Sequence, residues 1–179
     1  MESEERDGPP RALLIAAVVV AVGAVVAVLA VAALRETPAE QQVVGIVAVP
    51  APDAESAECD SLIDALPEKL GDFDRARLAE PAPPGSAAWR TDPDREAIIL
   101  RCGLERPAEF VVGTPLQVVD AVSWFRVSEA GRSTWYAVDR PVYIALTLPQ
   151  DAGPTPIQEI SEAIAKSLPA KPVDPAPAG

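Results

Sequence analysis

The chain has 179 residues, a formal net charge of −12 at pH 7 and no histidine. Its excess of carboxylates repels phosphate backbones, so the composition argues against nucleic acid as a partner. The absence of histidine excludes Ser-His-Asp and Cys-His catalysis and any zinc site with a histidine ligand. Asparagine is also absent, which excludes N-linked glycosylation.

The most apolar segment is residues 12–34, which contains no charged side chain. As an α-helix it would be about 34 Å long, against roughly 30 Å of bilayer hydrocarbon. The segment predicts a transmembrane helix that anchors the protein in the cell membrane as an uncleaved signal anchor. The alternative is a signal peptide cleaved after Ala30-Val31-Ala32, but secretory apolar cores run to only about 7–15 residues.

The parts of the chain around this segment differ in composition. Residues 1–11 are short enough to be a cytoplasmic tail, and residues 35–42 form a tether. Residues 43–168 are predicted to be one α+β domain outside the cytoplasm. Residues 169–179 are rich in proline and alanine, and their predicted state is disordered.

The chain has two cysteines, Cys59 and Cys102. Outside the cytoplasm such a pair indicates a disulfide bond, which would close a loop of about 44 residues. The alternatives are two buried free thiols in a cytosolic domain and, more remotely, a metal site.

The first half of the domain predicts a short strand over residues 43–49 and then a helix. Ser56 is the candidate N-cap of this helix, and Pro67 ends it. Its buried stripe consists of Cys59, Leu62, Ile63, Leu66 and Leu70. The proline-rich residues 77–94 are predicted to be loop.

Residues 97–103 predict a strand with Ile98, Leu100 and Cys102 on one face. Residues 118–148 predict an antiparallel meander. A three-residue hairpin loop at residues 129–131 would place Phe125 opposite Trp135 and Trp124 opposite Tyr136.

A terminal helix is predicted to begin with a capping box at Thr155 and Gln158, with Pro156 as its first residue. Its apolar stripe consists of Ile157, Ile160, Ile164 and Leu168. The fold class is therefore α+β, an antiparallel sheet with two helices packed on one face. We expect Trp124 and Ile144 to be buried.

The predicted register also collects Phe125, Trp135 and Tyr143 on the outer face of the meander. Clustered exposed aromatics are a candidate binding patch. The alternative is that residues 77–94, with Trp89, fold over them.

No catalytic residue, metal site or cofactor is assigned. Asp92, Asp94 and Glu96 have the alternating spacing of a calcium loop, but Ala97 replaces the turn glycine. The serines lack a nucleophile elbow and an activating histidine. A carboxylate pair for glycoside hydrolysis depends on proximity in space and not on spacing in the chain, so a carboxylate-dependent envelope enzyme is the third candidate.

Several short motifs follow one another in a specific order. They are Val-Pro-Ala-Pro-Asp at residues 49–53, Cys59 before Leu66-Pro67, Arg101-Cys102-Gly103, Val-Asp-x-Val-x-Trp-Phe at residues 119–125, and Val-Tyr-Ile-Ala-Leu-Thr-Leu-Pro at residues 142–149. This order resembles the domain of unknown function 3515 family, small single-span membrane proteins of actinobacteria. The resemblance covers about residues 43–168. It implies an envelope location and a pairing of the two cysteines, and it implies no activity.

The sequence therefore predicts a membrane-anchored protein of the cell envelope that acts as a non-catalytic binding or interaction module. The alternative is an assembly or regulatory partner of another membrane protein that acts through residues 12–34.

Overall fold

The computed structural model describes residues 11–35, 43–129 and 131–178. The chain divides into two units, Met1–Glu40 and Gln41–Gly179. The first unit contains helix α1, Arg11–Arg35, and the second contains all the described strands and two further described helices.

The structure corrects the prediction for the first unit. Within the described residues, no helix is both long and apolar enough to cross a membrane. The predicted transmembrane helix at residues 12–34 is therefore wrong for the part of the chain that the structure describes. Residues 1–10 and 36–42, most of the predicted tail and tether, lie outside that part.

The second unit is built on one mixed sheet of nine described strands, in the order β1-β3-β4-β5-β9-β8-β7-β6 with β2 paired to β3. The strands are β1 Val43–Val44, β2 Lys69–Leu70, β3 Phe73–Leu78, β4 Ser86–Arg90, β5 Ile98–Leu104, β6 Gln117–Val119, β7 Val122–Glu129, β8 Arg132–Ala137 and β9 Tyr143–Pro149. The expected sheet was purely antiparallel. It is mixed because β1 pairs with β3 in parallel.

Helix α2, Ala57–Ala65, follows its local signals. The Ser56 side chain accepts a hydrogen bond from the Cys59 amide at 3.3 Å, which confirms the predicted N-cap. The helix ends before Pro67, as predicted, with Leu66 as its C-cap.

Helix α3, Thr155–Ser167, begins differently from the prediction. Its N-cap is Pro154, which makes no side-chain capping bond, so the predicted capping box at Thr155 is wrong. The helix starts one residue earlier than that box requires. The apolar stripe is confirmed, because Ile157, Ile160, Ile164 and Leu168 are all buried.

Both helices pack apolar residues into one core against the sheet. Of the predicted α2 stripe, Cys59, Leu62 and Leu66 are buried and Ile63 is half-buried, whereas Leu70 lies in β2, beyond the end of the helix. Trp124 and Ile144 have no exposed surface, as predicted. Trp89 is equally buried there, and its indole nitrogen donates to the Pro67 carbonyl at 2.9 Å. The prediction of loop over residues 77–94 is wrong, because this segment completes β3 and contains β4. Its prolines cluster in the connection between the two strands.

The β7–β8 hairpin differs from the prediction by one residue. Glu129 pairs with Arg132, so the loop has two residues and not three. Phe125 therefore lies opposite Tyr136, and Trp124 opposite Ala137. Because side chains alternate along a strand, this shift moves every β8 side chain to the other face.

The carboxyl-terminal segment was expected to be disordered, but backbone hydrogen bonds hold it on the domain. The Lys171 amide donates to Asp139 O at 2.9 Å, and the Ala176 amide donates to Phe110 O at 2.9 Å. An ion pair between Asp174 and Arg106, at 3.0 Å, adds to these bonds. Backbone bonding thus replaces the apolar side chains that this segment lacks.

Candidate functional site

The structure does not bring the predicted patch of Phe125, Trp135 and Tyr143 together. Phe125 and Tyr143 belong to a second apolar cluster on the outer face of the sheet, where Phe110 stacks on Phe125 with ring centroids 5.8 Å apart. Trp135 lies on the opposite face, which carries the helices, because it pairs with Leu146 of the core. The two-residue hairpin loop is the physical reason for this separation.

On the helix side, Trp135 lines a cleft of about 590 Å³ at the end of the core. This Trp135 cleft is formed by five elements and their connections. Its described lining includes Gln117 and Val119 from β6, Arg126 and Ser128 from β7, Ser133 and Trp135 from β8, Leu148 and Pro149 from β9, and Pro154, Ile157 and Gln158 from the start of α3.

The sequence of β7 explains why the cleft opens where it does. Along its helix-facing side, Val122 and Trp124 are buried, whereas Arg126 and Ser128 are exposed. The apolar alternation stops after Trp124, so the core also stops there and the polar end of the hairpin extends past it. Trp135 stands at this boundary and is half-buried.

The chemistry of the cleft centres on a cation beside an aromatic ring. The Arg126 guanidinium carbon lies 5.3 Å from the Trp135 ring centroid, within range of a cation–π interaction. Arg126 Nε also donates to Ser133 Oγ at 3.2 Å, and Ser128 Oγ lies 3.4 Å from the same oxygen. No carboxylate of the described residues forms an ion pair with Arg126. Its charge is therefore available to a ligand.

The neighbouring arginine behaves differently. Arg132 forms an ion pair with Glu96, which raises the pKa of Arg132 and lowers the pKa of Glu96. Of the candidate calcium residues, Asp92 accepts a hydrogen bond from the Asp94 amide at 2.9 Å. Asp92 thus stabilises a turn, and Glu96 forms an ion pair with Arg132. In the described part of the chain, no group of three or more potential ligands could hold a metal ion.

The outer face carries a second polar group of residues. Thr134 and Thr147 hydroxyls lie 3.2 Å apart, and Arg101 Nη2 donates to Val47 O at 3.4 Å. Burial lowers the pKa of Arg101 and raises the pKa of the adjacent Tyr136. The two pockets on this surface have volumes of about 340 and 480 Å³, against about 590 Å³ for the Trp135 cleft, so we regard the cleft as the candidate site.

The titration of Tyr136 provides a measurement of burial on the outer face of the sheet. Its pKa is raised chiefly by burial, and the Glu109 carboxylate adds to the effect. The folded protein therefore keeps the phenol proton after the unfolded chain has lost it, and stability falls as the pH rises above about 10. We expect Tyr136→Phe to flatten this decline in the urea midpoint, and Tyr143, also shifted upward, provides the comparison variant. Tyrosinate absorbance that appears at the pKa of a free phenol would contradict the assignment.

Comparison with known proteins identifies the family of the chain. Residues 18–173 match the model of a family described as "Protein of unknown function (DUF3515)". The chain belongs to this DUF3515 family. No curated protein and no solved structure matches it.

The structure shows what two of the short sequence motifs do in this DUF3515 domain. In Arg101-Cys102-Gly103, Cys102 bonds to Cys59 and so confirms the predicted disulfide between α2 and β5. The amide of Asp53 donates to Gly103 O at 3.0 Å, which joins the first motif to this strand. The sequence analysis did not identify Arg126 as a residue of the cleft. The signal that indicates it is the change from apolar to polar residues after Trp124 on the helix-facing side of β7.

Proposed function

We propose that this DUF3515 domain is a non-catalytic binding module of the cell envelope that takes its ligand in the Trp135 cleft. The observation that carries the proposal is the half-buried Trp135 ring beside the unpaired Arg126 guanidinium. Binding pockets combine an apolar wall with a few polar groups that orient the ligand. Here Leu148 and Ile157 supply part of the apolar wall, and Ser128 is among the polar groups.

The disulfide bond supports a location outside the cytoplasm. Cys59 and Cys102 are both fully buried, with Cα atoms 5.6 Å apart. Disulfide bonds form and persist in oxidising compartments and are rare in the cytosol. We therefore propose that the domain works on the oxidising side of the envelope.

Site-specific photo-crosslinking in native cells tests the proposal. A photoreactive residue at Gln158, which lines the cleft, should give an adduct with the ligand. The same residue at Lys166, exposed two turns further along α3, should not. An equal adduct at both positions would contradict a ligand in the cleft.

The variant Arg126→Ala tests whether the guanidinium contributes to ligand binding. Because Arg126 is exposed and the contacts that it loses are a cation–π contact and one hydrogen bond at the surface, this substitution should lower the free energy of unfolding by about 1 kcal/mol or less. We expect it to reduce the Gln158 adduct about tenfold, which corresponds to about 1.4 kcal/mol. An unchanged adduct would show that the guanidinium does not bind the ligand.

A further inference from the structure

One edge of β7 lacks a neighbouring strand over half of its length. Strand β6 pairs only with residues 122–124, whereas β7 continues to Glu129. Strand β8 pairs with the other edge of β7 all the way to Glu129. Among the described residues, no strand lies beside residues 125–129 on the β6 side.

The register shows which backbone groups face this open edge. Ser123 O accepts from the Val138 amide at 3.0 Å, so the odd-numbered residues of β7 direct their backbone groups toward β8. Successive residues of a strand direct them to opposite sides. The N–H and C=O groups of Arg126 and Ser128 therefore point to the open edge, and no backbone bond to them is found in the described chain.

Proline explains why β6 stops short. The pairing of Gln117 with Trp124 would place Pro115 opposite Arg126 if β6 continued. Proline has no N–H group and cannot extend the ladder. The chain before Gln117 instead supplies Phe110 to the outer-face cluster.

The open edge and the Trp135 cleft are the same place. Arg126 and Ser128 present their backbone groups to the edge and their side chains to the cleft. We propose that an extended peptide segment of a partner protein adds to β7 as a further strand, with alternate side chains entering the Trp135 cleft. This inference rests on the proposed function and names the class of its ligand.

The cleft defines the chemistry of that peptide. A side chain that enters it meets Trp135, Leu148 and Ile157, so an apolar or aromatic residue fits there. The next side chain on the same face, two residues along, meets the unpaired Arg126 cation and should be acidic. The preferred segment is thus an extended peptide in which an apolar and an acidic residue alternate with residues that face away.

Phage-displayed random linear peptides, selected on the full chain, provide the probe. Binding of the enriched synthetic peptides is measured by the protection of tryptophan fluorescence from acrylamide. This signal reports on Trp135, because Trp89 and Trp124 are fully buried. Bound peptide should also slow amide hydrogen exchange at Arg126 and Ser128.

Two proline variants test the edge. Ser128→Pro removes an N–H group from the open edge of β7 and leaves the bonds to β8 in place. Val118→Pro is the matched control, because Val118 is 72 % exposed and its N–H points away from β7 on the outer edge of β6. We expect Ser128→Pro to weaken peptide binding at least tenfold and Val118→Pro to leave it unchanged.

Methylation of the peptide backbone gives a second measurement that does not depend on the folding of a variant. In an added strand, only alternate peptide amides bond to β7, so N-methylation should weaken binding at every second position. Uniform sensitivity, or none, would overturn strand addition.

The remaining outcomes separate the inference from the proposed function. Peptides that shield Trp135 but tolerate Ser128→Pro would overturn strand addition and leave the binding cleft intact. An absence of enriched peptides, or peptides that bind without shielding Trp135, would overturn strand addition, whereas the Gln158 crosslink tests the binding cleft independently of the ligand's class. A dimer of the full chain in sedimentation that Ser128→Pro dissociates would overturn the partner assignment, since a second copy would then occupy the edge.

Discussion

Replacing Cys59 and Cys102 together by alanine is expected to lower the free energy of unfolding by about 4 kcal/mol. The two residues are 43 positions apart, so the bond closes a loop of about 44 residues, and the chain-entropy model assigns such a loop about this value. The bond also joins α2 to β5 in the middle of the core. Urea unfolding of the oxidised protein and of the double variant measures the difference.

Reductant provides the control for this prediction. Both sulfur-bearing residues have no exposed surface, so the folded protein should resist a thiol reductant that acts rapidly in urea. After reduction in urea, the wild-type protein should have the midpoint of the double variant. Equal midpoints for the oxidised protein and the double variant would contradict a stabilising disulfide.

Gly103→Ala is expected to destabilise the domain by roughly 2–6 kcal/mol, from the cost of a left-handed backbone and the cost of overpacking. Gly103 has a φ of +82° and lies at a register shift in β5. An added Cβ would overlap the backbone of Asp53 and Ala54, which cannot move aside as a flexible side chain could. The substitution should also break the hydrogen bond from the Asp53 amide to Gly103 O.

Gly113→Ala separates these two costs. Gly113 also has a positive φ, +92°, but nothing lies within 4 Å of an added Cβ. The free energy of unfolding of this variant should fall only by the cost of a left-handed backbone for alanine, about 1–3 kcal/mol. Thermal or urea unfolding of both variants gives the comparison. Equal losses would show that the contact between Gly103 and residues 53–54 contributes nothing.

Some elements were determined by the sequence itself, because their signals lie within a few residues of one another. Ser56 caps α2 through a bond to an amide three residues away. The stripe of α3 and the alternation of Ile98, Leu100 and Cys102 each report one buried face of one element. The ordered motifs likewise identified the family, which the match over residues 18–173 confirms.

The hairpin register was decided by tertiary structure. Trp135 and Tyr136 are adjacent aromatics, so both faces of β8 appear apolar and a two-residue or a three-residue loop fits equally well. Pairing with β9, which places Trp135 against Leu146, selects one of them. In this register Trp135 lies opposite Arg126 and not opposite Phe125 as predicted. The sequence analysis therefore identified Trp135 as a candidate binding residue but did not identify its neighbours in the cleft.

Long-range pairing also determined the structure of two segments whose composition had led to a wrong prediction. Residues 77–94 are rich in proline, yet β4 forms because β3 and β5 bond to both of its edges. The segment around Ala176 has few apolar side chains and is held through backbone bonds to residues 110–112. In each case the partner lies far away in the sequence or carries no side-chain signal, and only the folded chain brings the two together.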